Sequence, residues 1–465
     1  MNIKNHSNSS SSGLARRAFL QRAGHLGLAG IATPWALNLA AIGEAAALTA
    51  TDYKALVCVF LYGGNDYGNT VLPVDNANYA RYAAIRAGLA TPQANLAATA
   101  LSPTTALPNG LQLALAPQMT ALKGLFDAGK LAVQLNVGPL IQPTTLAQFN
   151  AKSVPLPPKL FSHNDQQSVW QSSMPEGSTA GWGGKLGDLA LANNSNSVFT
   201  CISVTGNAVF LAGQTAVQYQ VSTNGAVPIT SIKSGLYGSS SCGAALNSLI
   251  TQASTQTLEN EYAKITSRSI TTEGSVTSAL AGVSAFSTVY PAGNSLASQL
   301  QMVAKLIAAR NTLGAKRQVF MVSMGGFDLH DNLPTLHPAL LTNVSEALGA
   351  FYNTTVELGI SNNVTAFTAS DFGRTLSSNG DGSDHGWGSH HFVLGGAVQG
   401  KQFYGTAPAI AVNSSDDVGQ GRLLPTTSVD QYGATLATWF GVSATELPTV
   451  LPNINNYSLK NVGFV

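Results

Sequence analysis

The stretch Ala55-Leu-Val-Cys-Val-Phe-Leu-Tyr62, followed at once by Gly63-Gly64-Asn65-Asp66, decides the fold class. A continuous apolar run with no polar alternation describes a strand covered on both faces, and such strands belong to parallel sheets packed between helices. Residues 131–137, 318–323 and 363–369 have the same character. Helical periodicity marks 295–313, 338–358 and 428–440, and the last opens with Ser428-Val-Asp-Gln431, which predicts a capping box. Strand, helix and strand in alternation predict an α/β fold with a mainly parallel sheet. Two stretches depart from the pattern. Residues 76–129 are rich in Ala, Leu and Pro and read as an insertion or cap, while 195–240 read as short strands lying over the main sheet. No long linker or internal repeat interrupts residues 48–465, so one elaborated domain is expected there.

Of the 465 residues, 45% are hydrophobic and only 10% are charged, against roughly 25% charged in an average soluble domain. Such apolar content excludes disorder of the whole chain. A net charge of +1 gives no basic surface suited to DNA or RNA, so no nucleic-acid partner is expected. Three cysteines cannot form a disulfide framework. Cys58 reads as a buried thiol, whereas Cys201 and Cys242 could equally pair or stay free.

Residues 1–47 read as an address rather than a fold. Arg16-Arg17-Ala18-Phe19-Leu20 precedes a weakly apolar stretch broken by Pro34 and Asn38, and Ala45-Ala46-Ala47 offers a small-residue cleavage site. This is the twin-arginine signal pattern, and it predicts export to the periplasm or beyond. Without the leader the chain has 19 basic and 21 acidic residues and is mildly acidic. No later stretch approaches 18 consecutive apolar residues, so no membrane span is expected in the mature chain.

In open parallel sheets ligands bind beyond the carboxyl ends of the strands. The predicted strands run out into residues suited to metals: Asn65 and Asp66 after the first, Asp328 and His330 after 318–323, Asp371 and Arg374 after 363–369, then Asp384, His385, His390 and His391. The mature chain has six histidines, and four of them fall in these motifs. Carboxylate and imidazole together suit zinc, manganese or iron. Arg374 offers a planar fork of donors for phosphate, sulfate or carboxylate. His390 and His391 would point to opposite faces of an extended segment, so one of the two, taken as His391, is expected to ligate. His337, beside Pro338, reads as a helix cap.

The ordered set Gly63-Gly-Asn-Asp66, Ser162-His163, Gly325-Gly-Phe-Asp-Leu-His330, Ser370-Asp-Phe-Gly-Arg374, Asp384-His-Gly-Trp-Gly388 and Val429-Asp-Gln-Tyr-Gly-Ala-Thr-Leu-Ala437, behind a twin-arginine leader, resembles the bacterial exported family catalogued as domain of unknown function 1501. The resemblance spans nearly all of the mature chain. That family is grouped with the alkaline phosphatase-like superfamily of phosphatases, sulfatases and phosphomutases. The resemblance therefore implies a three-layer α/β/α sandwich, alkaline phosphatase-like with insertions, and a site of one or two divalent metals, zinc or manganese foremost. It implies Asp66 (with Asn65 as a substitute), Asp328, His330, Asp371 and His385 as ligands. For the nucleophile it points to Ser162 at a helix N-terminus, with simple capping an equal reading. His163 stands as a general acid or an added ligand. No Cys-X-Pro-X-Arg or Ser-X-Pro-X-Arg occurs, so the likeness to sulfatases stops short of their modified nucleophile.

Two functions fit these residues. One is an exported metal-dependent hydrolase of phosphate or sulfate esters, with polysaccharide and lipid substrates both open. The other is a non-catalytic periplasmic or surface protein of the same fold, serving assembly, adhesion or binding of a protein partner. A Walker-type nucleotide loop and a Gly-X-Ser-X-Gly elbow are both missing from the sequence.

Overall fold

The computed structural model describes residues 48 and 50–465. The leader expected at 1–47 lies outside the described residues. The strands are β1 (Lys54–Leu61), β2 (Val71–Pro73), β3 (Leu113–Leu115), β4 (Leu131–Gly138), β5 (Cys201–Ser203), β6 (Tyr219–Ser222), β7 (Gly225–Ala226), β8 (Arg317–Met324), β9 (Val364–Ser370), β10 (Ser389–Gly395), β11 (Gln402–Tyr404) and β12 (Thr427–Ser428). Helices of eight residues or more are α1 (Asn76–Arg86), α2 (Thr120–Asp127), α3 (His163–Ser172), α4 (Trp182–Ala190), α5 (Ser240–Thr251), α6 (Thr257–Ala281), α7 (Ser295–Ala308), α8 (Leu333–Glu357) and α9 (Val429–Phe440).

Ten strands form one sheet in the order β11-β4-β10-β9-β1-β8-β5-β6-β7, with β12 also paired to β4. β1 is the hub, parallel to β8 on one side and to β9 on the other, with Leu61 level with Met324 and with Ser370. β10 runs antiparallel to both β9 and β4, and β7 antiparallel to β6; the other pairings are parallel. The sheet is therefore mixed and mainly parallel, with flanking helices. Alternate residues of β1 serve different cores. Ala55, Val57, Val59 and Leu61 pack with Leu300 and Val303 of α7, Leu341 and Leu348 of α8, and Leu122 and Phe126 of α2. On the other face Cys58 is level with Phe367, whose ring meets Trp182 of α4, Phe210 and Tyr432 of α9. Burial on both faces is what the unbroken apolar run of β1 encodes.

Two local expectations differ from the structure, and one question left open is answered. Residues 201–226 do not lie over the sheet: β5 joins β8 and extends it sideways to β6 and β7. Cys201 and Cys242 are both free, the first buried and the second exposed. His337 is no cap; it lies inside α8, buried, with Nε2 on Asn65 Oδ1 at 2.9 Å. The stretch 76–129 forms α1, short 3-10 turns, β3 and α2; β3 pairs antiparallel with β2, and α2 packs on α8. Among the described residues no helix is long and apolar enough to cross a membrane.

Candidate metal centre at the carboxyl edge of the sheet

Because β1, β8 and β9 are parallel, their exits share one edge. β10 runs the other way, so the segment entering it, Asp384 to Gly388, reaches the same edge. The exit of β1 turns sharply at Gly63, with φ +113°, and a Cβ there would lie 2.4 Å from the backbone N of Asp328. Only glycine allows this approach. The turn is tied to β9 by Gly63 N–H donating to Asp371 Oδ2 (3.1 Å) and Asn65 N–H to Ser370 Oγ (2.9 Å). The N-terminus of α3 delivers His163 from the remaining side.

Four side chains meet here. His385 Nε2 lies 3.1 Å from His163 Nε2, 2.9 Å from His330 Nε2 and 3.2 Å from Asp328 Oδ1. Asp328 spans the group, with Oδ1 3.1 Å from His330 Nε2 and Oδ2 3.3 Å from His163 Nε2. The far nitrogen of every ring is occupied. His385 Nδ1–H donates to the Phe161 carbonyl (2.8 Å), His163 Nδ1–H to Asp371 Oδ2 (2.6 Å), and His330 Nδ1–H to Asp384 Oδ1 (3.2 Å). A carbonyl only accepts, which fixes His385 as the tautomer with a bare Nε2. Three Nε2 atoms thus face one carboxylate, each oriented from behind in the manner that supports metal-ligating histidines.

The shifts in acidity follow the contacts. The hydrogen bond to Asp371 raises the His163 pKa above its usual value. Desolvation lowers that of His385, with the charges of His163 and Arg374 adding to it. Burial alone would raise Asp328, yet the bond to Arg374 and its charge bring it below the carboxylate range.

The donor set fits a divalent cation. Among the described residues, His163, Asp328 and His385 have their ligand atoms all within 4.8 Å of one another. Bonds of about 2.1 Å to a tetrahedral zinc set neighbouring donors about 3.4 Å apart, close to the separations seen. Asp328 and His330 are 44% and 45% exposed, so the cluster opens to solvent.

Of the residues singled out in the sequence, Asp328, His330, His385 and His163 come together, and Asp371 stands directly behind His163. Asp66 does not join them. It is buried and spent on Arg86 Nη2 (2.8 Å), Ser383 Oγ (2.6 Å) and Asn69 N–H (2.9 Å). His391 also lies elsewhere, buried in β10 with Nδ1 3.2 Å from Thr368 Oγ1. Arg374 presents no free fork: it is fully buried, and its Nη groups bond Asp328 Oδ1, the Gly63 carbonyl and the Ser383 carbonyl. Its part is to hold Asp328. Ser162 is the N-cap residue of α3, but its hydroxyl donates to Asp165 Oδ2 (2.8 Å) rather than capping the backbone or facing the cluster.

One contributor was missed in the sequence, and one candidate ligand takes a supporting place instead. Gln167 donates to Asp371 Oδ2 (2.9 Å), and Asp384 orients His330. Gln167 was within reach, since it sits four residues after His163 on one helix face.

No curated protein sequence matches the chain. Solved structures that resemble it include the lipoteichoic acid synthase LtaP from Listeria monocytogenes, at 10% identity over 88% of this chain and 78% of that one, TM-score 0.33. Another is Ps i-CgsB in complex with k-i-k-neocarrahexaose, at 10% identity over 87% and 77%, TM-score 0.34. A third is the PsFucS1 sulfatase from Pseudoalteromonas sp., at 10% identity over 90% and 74%, TM-score 0.32. The family described as "Protein of unknown function (DUF1501)" matches residues 53–446, and the chain belongs to it.

Proposed function

We propose that this protein is an exported, metal-dependent hydrolase acting on phosphate or sulfate esters. The observation that carries the reading is the convergence of three imidazole Nε2 atoms on Asp328 at a solvent-open strand edge, each ring held through its Nδ1. Imidazole and carboxylate donors suit zinc or manganese better than calcium or magnesium, which prefer all-oxygen shells. When bound, such an ion supplies Lewis-acid polarisation of an ester oxygen and acidifies water. Arg374 keeps Asp328 ionised and in place, and the Asp371–His163 pair sets which nitrogen of His163 faces the substrate. With the Ser162 hydroxyl turned to Asp165, water rather than serine is the nucleophile in this reading. A polysaccharide or lipid ester would reach the centre from the open side. Residues 1–47 act as the twin-arginine leader, and 76–129 as a cap on the domain.

The test is elemental analysis of mature protein purified from the periplasm without added metal, followed by an ester panel with Asp328→Ala as control. Bound zinc, manganese or iron, with turnover lost in the folded variant, supports the reading. Full turnover in Asp328→Ala sinks it. Replacing Arg16 and Arg17 with lysine should strand the protein in the cytoplasm; unchanged export would remove the leader from the proposal.

A second reading has one observation in its favour. Three histidines and one aspartate make four donors, which can close a tetrahedral shell and leave no position for substrate. A non-catalytic protein with a structural metal would then serve assembly, adhesion or partner binding. It predicts stoichiometric metal with no turnover on any ester, and loss of partner capture when 76–129 is removed.

A further inference from the structure

Resemblance alone leaves open one metal or two, with Asp66 among the ligands. We infer that the centre is mononuclear, and that the guanidinium of Arg86 supplies to Asp66 the positive charge a second ion would bring. This rests on reading the cluster as a metal centre, and it follows from how the carboxylates at this edge are used.

Four aspartates lie near the strand exits. Asp328 alone has its carboxylate among the imidazole Nε2 atoms. Asp371 Oδ2 accepts from His163 Nδ1, Gln167 Nε2 and Gly63 N–H. Asp384 Oδ1 accepts from His330 Nδ1 and Asn379 Nδ2. Both act as supports behind a ring. Asp66, on the first strand exit, takes three donors, and one of them is a full cation.

The seat of that cation is built. Arg86 is 0% exposed and is brought in at the end of α1. Its Nη1 donates to the carbonyls of Thr375 and Leu376, both 3.3 Å away, while Nη2 holds Asp66. Gly68 leaves the slot open, since a Cβ there would come within 2.7 Å of Arg86 Nη1. Removing Asp66 to ligate a metal would leave a buried guanidinium without its counter-charge, one of the costliest states in a protein interior. Asp371 Oδ1 is the carboxylate oxygen at this edge that is buried with no partner. A lone oxygen cannot hold a second ion when the side chains around it are already committed.

The experiment is a metal titration of the full mature chain, read by native mass spectrometry with zinc and by electron paramagnetic resonance with manganese. One tight equivalent with an isolated six-line manganese signal supports the inference. Two equivalents, or a spin-coupled manganese pair, overturn it while leaving the metal-centre reading intact. No bound metal at saturation removes that reading and this inference with it. Asp66→Asn gives an independent check that needs no activity. The metal count and affinity stay unchanged while thermal stability falls, because Arg86 loses its counter-ion. A drop from two equivalents to one in that variant would make Asp66 a ligand and overturn the assignment. If the variant does not fold, the wild-type count and signal still decide.

Discussion

His385 and the pair His390 and His391 occupy one short stretch of chain, yet they live in different chemistry. His390 accepts a hydrogen bond on Nδ1 from Asn136 N–H at 3.1 Å and packs edge-on against Tyr67. His391 sits against Trp170 with ring centroids 4.8 Å apart. Both are buried, and burial pushes their pKa values down to about 4 and about 3. They are neutral core side chains. The three rings at the strand edge differ in one respect above all. Each has its Nδ1 fixed by an acceptor, so its Nε2 is aimed, and the three aims coincide on Asp328. A histidine in a conspicuous motif is not thereby a candidate ligand; a supported far nitrogen and a shared target, as metal-ligating histidines have, set the three edge rings apart.

The comparison breaks most decisively at Asp328. Asp328→Ala should weaken metal binding by roughly a hundred- to a thousandfold, since a structural zinc gains about 10–16 kcal/mol spread over four ligands. Circular dichroism should show a folded chain whose melting temperature is lowered, because the fully buried Arg374 loses its carboxylate partner. Retained metal would mean the rings do not share a target. Next in size is the support behind a ring. Asp371→Asn should cost roughly 10–100-fold in metal affinity, measured by competition with a chelator, and an unchanged constant would deny Asp371 its orienting part.

The buried pair should behave in the opposite sense. With folded pKa values of about 4 and about 3, below the ordinary value of 6.5, the unfolded chain takes up protons first. Stability from keeping these rings neutral is complete above pH 6.5 and is lost as pH falls toward 4. His391 alone should account for about 2–3 kcal/mol of that loss at pH 4.5. His391→Phe should flatten the acid limb of denaturant melts and leave metal content untouched; a variant that loses metal would place His391 with the ligands. The smallest effect belongs to Ser162→Ala, which removes one hydrogen bond to Asp165 and should lower stability by about 1 kcal/mol. Metal content and any turnover should persist, and abolished turnover would restore Ser162 as a nucleophile.

The scaffold was legible because its strands are apolar on both faces. β1, β4, β8 and β9 were all read within a residue or so of where they form, and the Ser428–Gln431 capping box is present. The strands β5 to β7, which extend one side of the sheet, are short and part polar, so their alternation suggested a separate layer. Helices α5 and α6 went unread, since Ser, Thr and exposed apolar residues such as Leu258 and Tyr262 blur their periodicity. At the site, the motifs revealed which residues gather at the edge but not which of them turn toward each other. Asp66 and Arg374 looked available because nothing local announces Arg86 or the Gly63 and Ser383 carbonyls as their partners. Those pairings are made at the strand exits, 20 residues apart for Asp66 and Arg86 and 311 for Gly63 and Arg374, beyond the reach of spacing rules.

The central place of β1 has a consequence for how the protein comes into being. The bond from Gly63 to Asp371 joins residues 308 positions apart, and that between His163 and Asp371 joins residues 208 apart. Such distant closures are slow steps in folding, since chain entropy is lost before contacts repay it. The ring-bearing edge can exist only after β1 has been enclosed by both β8 and β9, late in synthesis. Acquisition of a cation would then report on a finished molecule, and a chain stalled before β9 would have nothing with which to capture one.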